Sequence, residues 1–245
     1  MDDFETEVPE IVFEGLSVNN IPKDSKELLL KRLKWLVFSD TIFVAMPLDR
    51  TTNTDGLKFD LIFFGTLAAY INRRMFEIGL PVRGAIHVGD VILSKKCFAG
   101  KAVVDAHKLA QRCQIAGTIV SQDAYNYIFN VFAEPKGFHF LFAHLIVECD
   151  VPVGVSQVSE SLVSVSSEKM KTLCWFYLQL PHIRRFDVPL DFNRFVAEKF
   201  TEHGKKLSGV KECLKAVNTE KLFKDWQTTS RAQGEHFLNL KNATA

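Results

Sequence analysis

The chain has little that would mark it as secreted, metal-clipped or membrane-bound. It has five cysteines (Cys97, Cys113, Cys149, Cys174, Cys213), odd in number, widely spaced and without a C-x-x-C pair. That usage excludes a disulfide framework and a thiolate zinc site, and it fits a reducing compartment. The N-terminus is acidic and lacks the apolar stretch of a secretory signal. The longest apolar runs, Leu61–Leu67 and Phe138–Val147, fall far short of the roughly 20 residues that span a bilayer. Net charge is only +1, so neither nucleic acid nor an anionic membrane is indicated as a partner. A cytoplasmic, soluble protein is therefore expected. There are three Trp and four Tyr against 21 Phe, which predicts a thickly packed apolar interior and names no ligand.

Charge is uneven along the chain. Residues 1–34 are mainly acidic, whereas 71–112 hold Arg73, Arg74, Arg83, Lys95, Lys96, Lys101, Lys108 and Arg112 against Glu77, Asp90 and Asp105. A solvated face accounts for such a run, and an anionic ligand is the sharper reading. No internal repeat is present. The serine-rich stretch Ser156–Ser167 reads as a loop or linker. It separates a mixed α/β part, 1–155, from a strand-plus-helix extension, 168–245.

Within the first part, Lys26–Lys34 ends a helix that runs into a strand hairpin at Trp35–Pro47. Apolar residues at helical spacing (Leu61, Phe64, Leu67, Tyr70, Ile71, Met75) predict a helix over Leu57–Gly79, with Gly79 as its C-terminal cap. Pro81–Ile92 alternates like a strand, with a bend or bulge at Gly89-Asp90 within a hairpin. Ala102–Ile115 predicts a helix, and Thr118–Ser121 a strand. The order is that of an α+β, ferredoxin-like split β-α-β sheet with helices on one face. In the extension, Thr172–Leu180 reads as a strand, Phe192–Lys205 and Leu214–Thr228 as amphipathic helices, and the last fifteen or so residues as frayed.

Asp40 is the most informative residue. It sits in Lys34-Trp-Leu-Val-Phe-Ser-Asp-Thr-Ile-Phe-Val-Ala-Met46, an otherwise apolar hairpin. A carboxylate there is costly unless it caps its own turn or holds a cation. Three further segments come after it: Gly79-Leu-Pro-Val-Arg-Gly-Ala-Ile-His-Val-Gly-Asp90, Phe98-Ala-Gly100 opening a helix, and Gly117-Thr-Ile-Val-Ser121. Together with Phe38-Ser39-Asp40, this order and spacing resembles the class III nucleotidyl cyclase catalytic domain over about residues 30–125. The wording is most similar to the pyrimidine cyclases of the bacterial Pycsar anti-phage systems.

The resemblance implies conversion of a nucleoside triphosphate, UTP or CTP favoured, to a 3′,5′-cyclic nucleotide and pyrophosphate. It implies Mg²⁺ or Mn²⁺ as cofactor and a head-to-tail homodimer with sites at the subunit interface. Asp40 matches the second of the family's two metal aspartates. The first belongs on an opening Ile-Asp-Ile-Leu-Gly-Phe type strand, and Met1–Glu10 does not read as one. Leu36 stands where purine cyclases carry a Lys, and Phe38 and Gly100 fall in nucleotide-binding motifs. Counting from Gly100, Val104 matches the ribose-contacting Asn and Lys108 the phosphate-steadying Arg. Counting back from Gly117 gives Asp105 and Leu109 instead. Asp105, Lys108 and Arg112 share a helical face, and Lys108 or Arg112 could meet a triphosphate.

Other polar residues have plainer readings. His87 is expected to be a hydrogen-bonded strand residue, His107 a helix-surface residue, and Arg83 a partner for a carboxylate of the sheet. Asp90 is a rival metal ligand or a turn residue. The alternative function is a degenerate cyclase-homology module that binds nucleotide or dimerises. A diguanylate-cyclase or polymerase-type domain fits poorly, because Val88-Gly-Asp-Val91 lacks the required carboxylate turn.

Overall fold

The computed structural model describes residues 7–12, 23–38, 41–48, 54–94, 97–132, 145–159, 162–176, 187–204, 206–207 and 210–243. It begins with a helical turn over residues 7–12, whose Val8 and Val12 enter the core. Helix α1 (Lys23–Arg32) leads into a hairpin of β1 (Lys34–Phe38) and β2 (Thr41–Ala45), in register from Lys34↔Ala45 to Phe38↔Thr41. Arg32 ties the hairpin to the next helix, α2 (Thr54–Glu77). Its guanidinium donates to the Pro47 carbonyl at 2.6 Å and to the buried Asp60 carboxylate of α2, also at 2.6 Å. The carboxylate thus enters the interior with its counter-charge.

Helix α2 stops where its glycine predicts. Gly79 is left-handed at φ 74°, Leu80 N–H donates to Met75 O and Gly79 N–H to Phe76 O, the paired bonds of a Schellman cap. The end is reinforced from a distance. Lys199 Nζ donates to Glu77 O at 2.6 Å, and His203 Nε2 lies 2.7 Å from Ile78 O. Both come from α5 (Phe192–Thr201) and the 3₁₀ turn Glu202–Gly204 that succeeds it.

Strand β3 (Arg83–Ile86) pairs in parallel with β6 (Gly117–Val120) through the crossover helix α3 (Lys101–Arg112). A small hairpin, β4 (Ile92–Ser94) with β5 (Cys97–Ala99), precedes α3, and α4 (Gln122–Val131) comes after β6. The bend expected at Gly89-Asp90 is present at Gly89, and the paired strands of the hairpin lie a few residues later. Gly89 is only a bend, because its backbone is pressed on α3: a Cβ there would stand 3.0 Å from Ala102 Cβ.

The serine-rich stretch expected as a linker is strand over residues 156–159 and 162–167. Strands β7 (Ile146–Ser159) and β8 (Leu162–Leu173) form one long antiparallel hairpin through it, and the sheet order is β3-β6-β8-β7. Valines alternating with small polar residues suit a pleated ribbon better than serine propensity suits a loop. The strand expected over Thr172–Leu180 ends at Leu173, and residues 177–180 lie outside the described set.

The C-terminal helix α6 (Val210–Ala243) continues well past Thr228, so the end expected to fray is helical as far as Ala243. Its Leu222 and Trp226 lie against Gly117 of β6, whereas the next residue, Thr118, bonds Asn72 of α2. Successive strand residues face opposite sides, so β6 is covered on both faces and is buried throughout. That departs from the expected sheet with helices on one face; the second cover is the C-terminal helix. The phenylalanine excess is spent where these elements meet: Phe76, Trp175, Phe176, Phe192, Phe223 and Trp226 form a cluster of mostly edge-to-face and tilted rings with centroids 4.8–6.1 Å apart. The molecule is an α+β protein.

Candidate functional site

The sequence motifs converge on β3, α3 and the strand end at Ser121. Beyond Ile86, His87 Nδ1 lies 2.8 Å from Ser121 Oγ, and His87 Nε2 is 3.9 Å from Asp105 Oδ2 on α3. Ser121 is the N-cap of α4, its hydroxyl accepting from Ala124 N–H at 3.1 Å. His87 thus ties the end of β3, the crossover helix and the next helix together; it is hydrogen-bonded as expected, one residue past the strand.

Helix α3 begins at Gly100. Its φ is 137°, and a Cβ added there would stand 2.6 Å from Asp90 O, so only glycine suits the position. Its N-cap glycine supplies no side-chain cap, so the first N–H groups of the helix have no N-cap side-chain acceptor. Asp105 is bound by Lys101 Nζ at 2.5 Å. That hydrogen bond, the larger cause, and the nearby His87 and Lys108 hold its carboxyl below the usual range, against a smaller opposing effect of burial.

The shared face of Asp105, Lys108 and Arg112 is real, but its members are differently engaged. Arg112 reaches across to Glu168 on β8 at 2.5 Å. Lys108 and Val104 are exposed, and Lys108 makes no ion pair among the described residues. Leu36 is half-buried on β1, opposite Phe43. Phe38 closes the β1–β2 register opposite Thr41 through its backbone. Asp40, the expected metal ligand, lies outside the described residues, as does Ser39.

A cleft among the described residues lies elsewhere. It has a volume of about 1970 Å³ and opens between β2 and β3, floored by α2 and flanked by α3. The α3 residues that line it are Ala102, Val103, Ala106, His107, Ala110 and Gln111, on the side of the helix away from Asp105, Lys108 and Arg112. His107, expected at the surface, is exposed there and bonds Gln111 at 2.7 Å. Arg83 also faces this cleft; its guanidinium donates to Gln111 O at 3.3 Å rather than to a carboxylate of the sheet.

Asn72 was not singled out by sequence, although a polar residue on the apolar stripe of α2 was the available signal. Its amide donates to Thr118 Oγ1 and to Ala68 O and lines the cleft floor. Asp90 is exposed, and among the described residues no three His, Cys, Asp or Glu side chains gather as a cation site. No helix among the described residues is long and apolar enough to cross a membrane.

No family model, no curated protein and no solved structure matches this chain.

Proposed function

We propose that this chain is a nucleotidyl cyclase-type domain that binds a nucleoside triphosphate, UTP or CTP in preference to purines, in a homodimer in the cytoplasm. The reading draws on a ferredoxin-like arrangement of this family and on a role in signalling or anti-phage defence. The single observation that carries it is the unit β3–α3–β6, in which Arg83-Gly-Ala-Ile-His, the Gly100 helix start and Gly117–Ser121 stand in the order and spacing of the family motifs.

In that reaction the ribose 3′-oxygen attacks the α-phosphorus, the bond to the β-phosphate breaks, pyrophosphate leaves, and the hydroxyl proton passes to solvent or base. The described residues do not gather the ligands for the divalent cation, Mg²⁺ or Mn²⁺, that supplies Lewis-acid chemistry in the family. What they offer is positioning and charge. On the shared α3 face, Lys108 is the cation left without an ion pair among the described residues, and Val104 and Asp105 flank it. Gly100 brings uncapped backbone N–H groups to the helix start. The Val104, Asp105 and Lys108 side chains lie on the side of α3 away from the cleft, where a second protomer could complete a site.

A second reading, a cyclase-homology module that binds nucleotide or dimerises without turnover, is favoured by the lack of a cation site among the described residues. The deciding experiment is turnover of the purified chain with each of the four triphosphates and Mn²⁺, read by mass spectrometry. A cyclic UMP or CMP product supports the enzyme. Saturable triphosphate binding without product supports the module, and a monomer that gives neither product nor binding overturns both.

A further inference from the structure

His87 stands one residue beyond β3, lines the cleft, and keeps only 13% of its side chain exposed. Both ring nitrogens have a neighbour. Nδ1 is 2.8 Å from Ser121 Oγ, and Nε2 faces the Asp105 carboxylate at 3.9 Å. A carboxylate on that side favours the tautomer with its proton on Nε2, which leaves Nδ1 to accept from the Ser121 hydroxyl. The same oxygen accepts from Ala124 N–H at 3.1 Å and so caps α4. In this state the serine is satisfied both as donor and as acceptor.

A second proton on the ring goes to Nδ1, and it reverses the bond to Ser121. The charged ring donates from both nitrogens, so the hydroxyl oxygen must accept from His87 as well as from Ala124. Its own hydrogen is then displaced. Among the described residues that hydroxyl bonds only His87 and Ala124, and Ser121 is buried. A buried hydroxyl without an acceptor is costly, and turning Oγ off the cap relieves the cost. On the other side of the ring, Nε2–H gains charge and competes with Lys101 for Asp105. The Lys101 hydrogen bond holds the Asp105 carboxyl below its usual range, so the carboxylate is charged where a histidine titrates. The other charges around the ring are Lys101 and Lys108 on α3, Asp123 in the first turn of α4, and Asp90 at the bend before β4. The α2 residues that line the cleft carry none.

We propose that His87 is a pH-operated latch on the first turn of α4. Neutral, it receives the Ser121 hydroxyl and the cap is closed. Protonated from the solvent of the cleft, it displaces that hydroxyl, opens the cap and draws Asp105 away from Lys101. One proton enters, and no other group changes charge. The inference does not rest on the nucleotide reading, because neither its groups nor its test requires nucleotide.

The test is nitrogen NMR of the His87 ring together with amide hydrogen exchange, on the full chain between about pH 5 and 8. At the alkaline end the ring should carry its proton on Nε2. Asp105→Asn, which removes the charge facing that nitrogen, should let the other tautomer appear. As the ring takes up its second proton, the Ala124 amide should exchange about fivefold faster after correction for the intrinsic pH dependence, as on loss of a serine cap. The Phe132 amide, bonded to Ile128 O and Phe129 O at the far end of α4, should not follow. His87→Gln keeps a polar side chain and cannot titrate, so it should abolish the Ala124 step. A neutral parent ring with its proton on Nδ1, or an Ala124 amide indifferent to the second proton, would overturn the proposal without recourse to any variant. The same step in His87→Gln, or a parallel loss at Phe132, would overturn it too, since acid would then act through another group or on the whole helix.

Discussion

Trp226 Nε1 donates to Thr172 Oγ1 at 2.7 Å, and neither side chain is exposed to solvent. The hydroxyl in turn donates to Val147 O at 3.0 Å, so one threonine joins α6, β8 and β7. The C-terminal helix is therefore built into the core of the sheet, and Thr219 repeats the arrangement by accepting from Ala116 N–H at 2.8 Å.

The first prediction rests on that bond. Thr172→Val keeps shape and removes the acceptor, stranding a buried indole N–H and costing about 1–3 kcal/mol. Thr172→Ser keeps the hydroxyl and should cost less. Trp226→Ala empties the centre of the aromatic cluster and should cost about 3–5 kcal/mol. Urea unfolding measures all three, and a Thr172→Val variant as stable as the parent would remove the hydrogen bond from the account.

Gly79 gives the second. Its φ of 74° is left-handed, and a Cβ would stand 2.5 Å from Cβ of Glu202. Both facts oppose a side chain, so Gly79→Ala should lose about 1–3 kcal/mol. Because Lys199 and His203 hold the same helix end, the loss should extend to the 3₁₀ turn and raise amide exchange over Glu202–Gly204. An unchanged unfolding midpoint would mean that the cap adapts.

How much of this was legible depends on the range of the forces involved. Helix α2 and its glycine stop were readable because periodicity and capping act within a few residues. The hairpin at residues 34–46, the strand at Gly117 and the crossover helix were readable for the same reason. Ser156–Ser167 misled because serine has loop propensity, while the strand state there is set by pairing between β7 and β8. The second cover on β6 was not legible either. It depends on Gly117, with no side chain, meeting Leu222 and Trp226 more than a hundred residues away.

The thiols make a third prediction. Burial pushes Cys113 and Cys149 up to about 11 from 9.0, whereas Cys97 and Cys213 are exposed. The two exposed thiols should react with a disulfide reagent at mildly alkaline pH, and the buried ones only on unfolding. With folded values raised above unfolded ones, their stability contribution is fully present below about 9 and is lost as pH rises through about 11. Replacing both by alanine should flatten the part of the alkaline stability loss that they cause, measured as the difference from the parent. Parallel curves would refute the assignment.

The cyclase-type reading makes Asp40 the subject of the fourth. Asp40→Asn removes the charge and keeps the size. Mn²⁺-dependent triphosphate binding should disappear while stability stays within about 1 kcal/mol of the parent. Titration calorimetry with and without Mn²⁺ reads the first and thermal unfolding the second. Intact Mn²⁺-dependent binding would return Asp40 to a turn residue that caps its own backbone.

The fifth separates two cations that the sequence treated as equivalent. Arg112 is held by Glu168, so a phosphate would have to compete with that carboxylate, while Lys108 is exposed and makes no ion pair among the described residues. If α3 meets a triphosphate, Lys108→Ala should weaken its binding several-fold and leave the nucleoside unaffected, and the loss should shrink as salt screens the charge. Arg112→Ala should matter less for binding. It should also matter little for stability, because a half-exposed ion pair contributes about 0–1 kcal/mol. Equal losses for triphosphate and nucleoside in Lys108→Ala would mean that the residue shapes the helix and does not hold phosphate. A larger loss in Arg112→Ala would mean that Glu168 releases its arginine when nucleotide arrives, and Glu168→Gln should then tighten binding where the parent pair had opposed it.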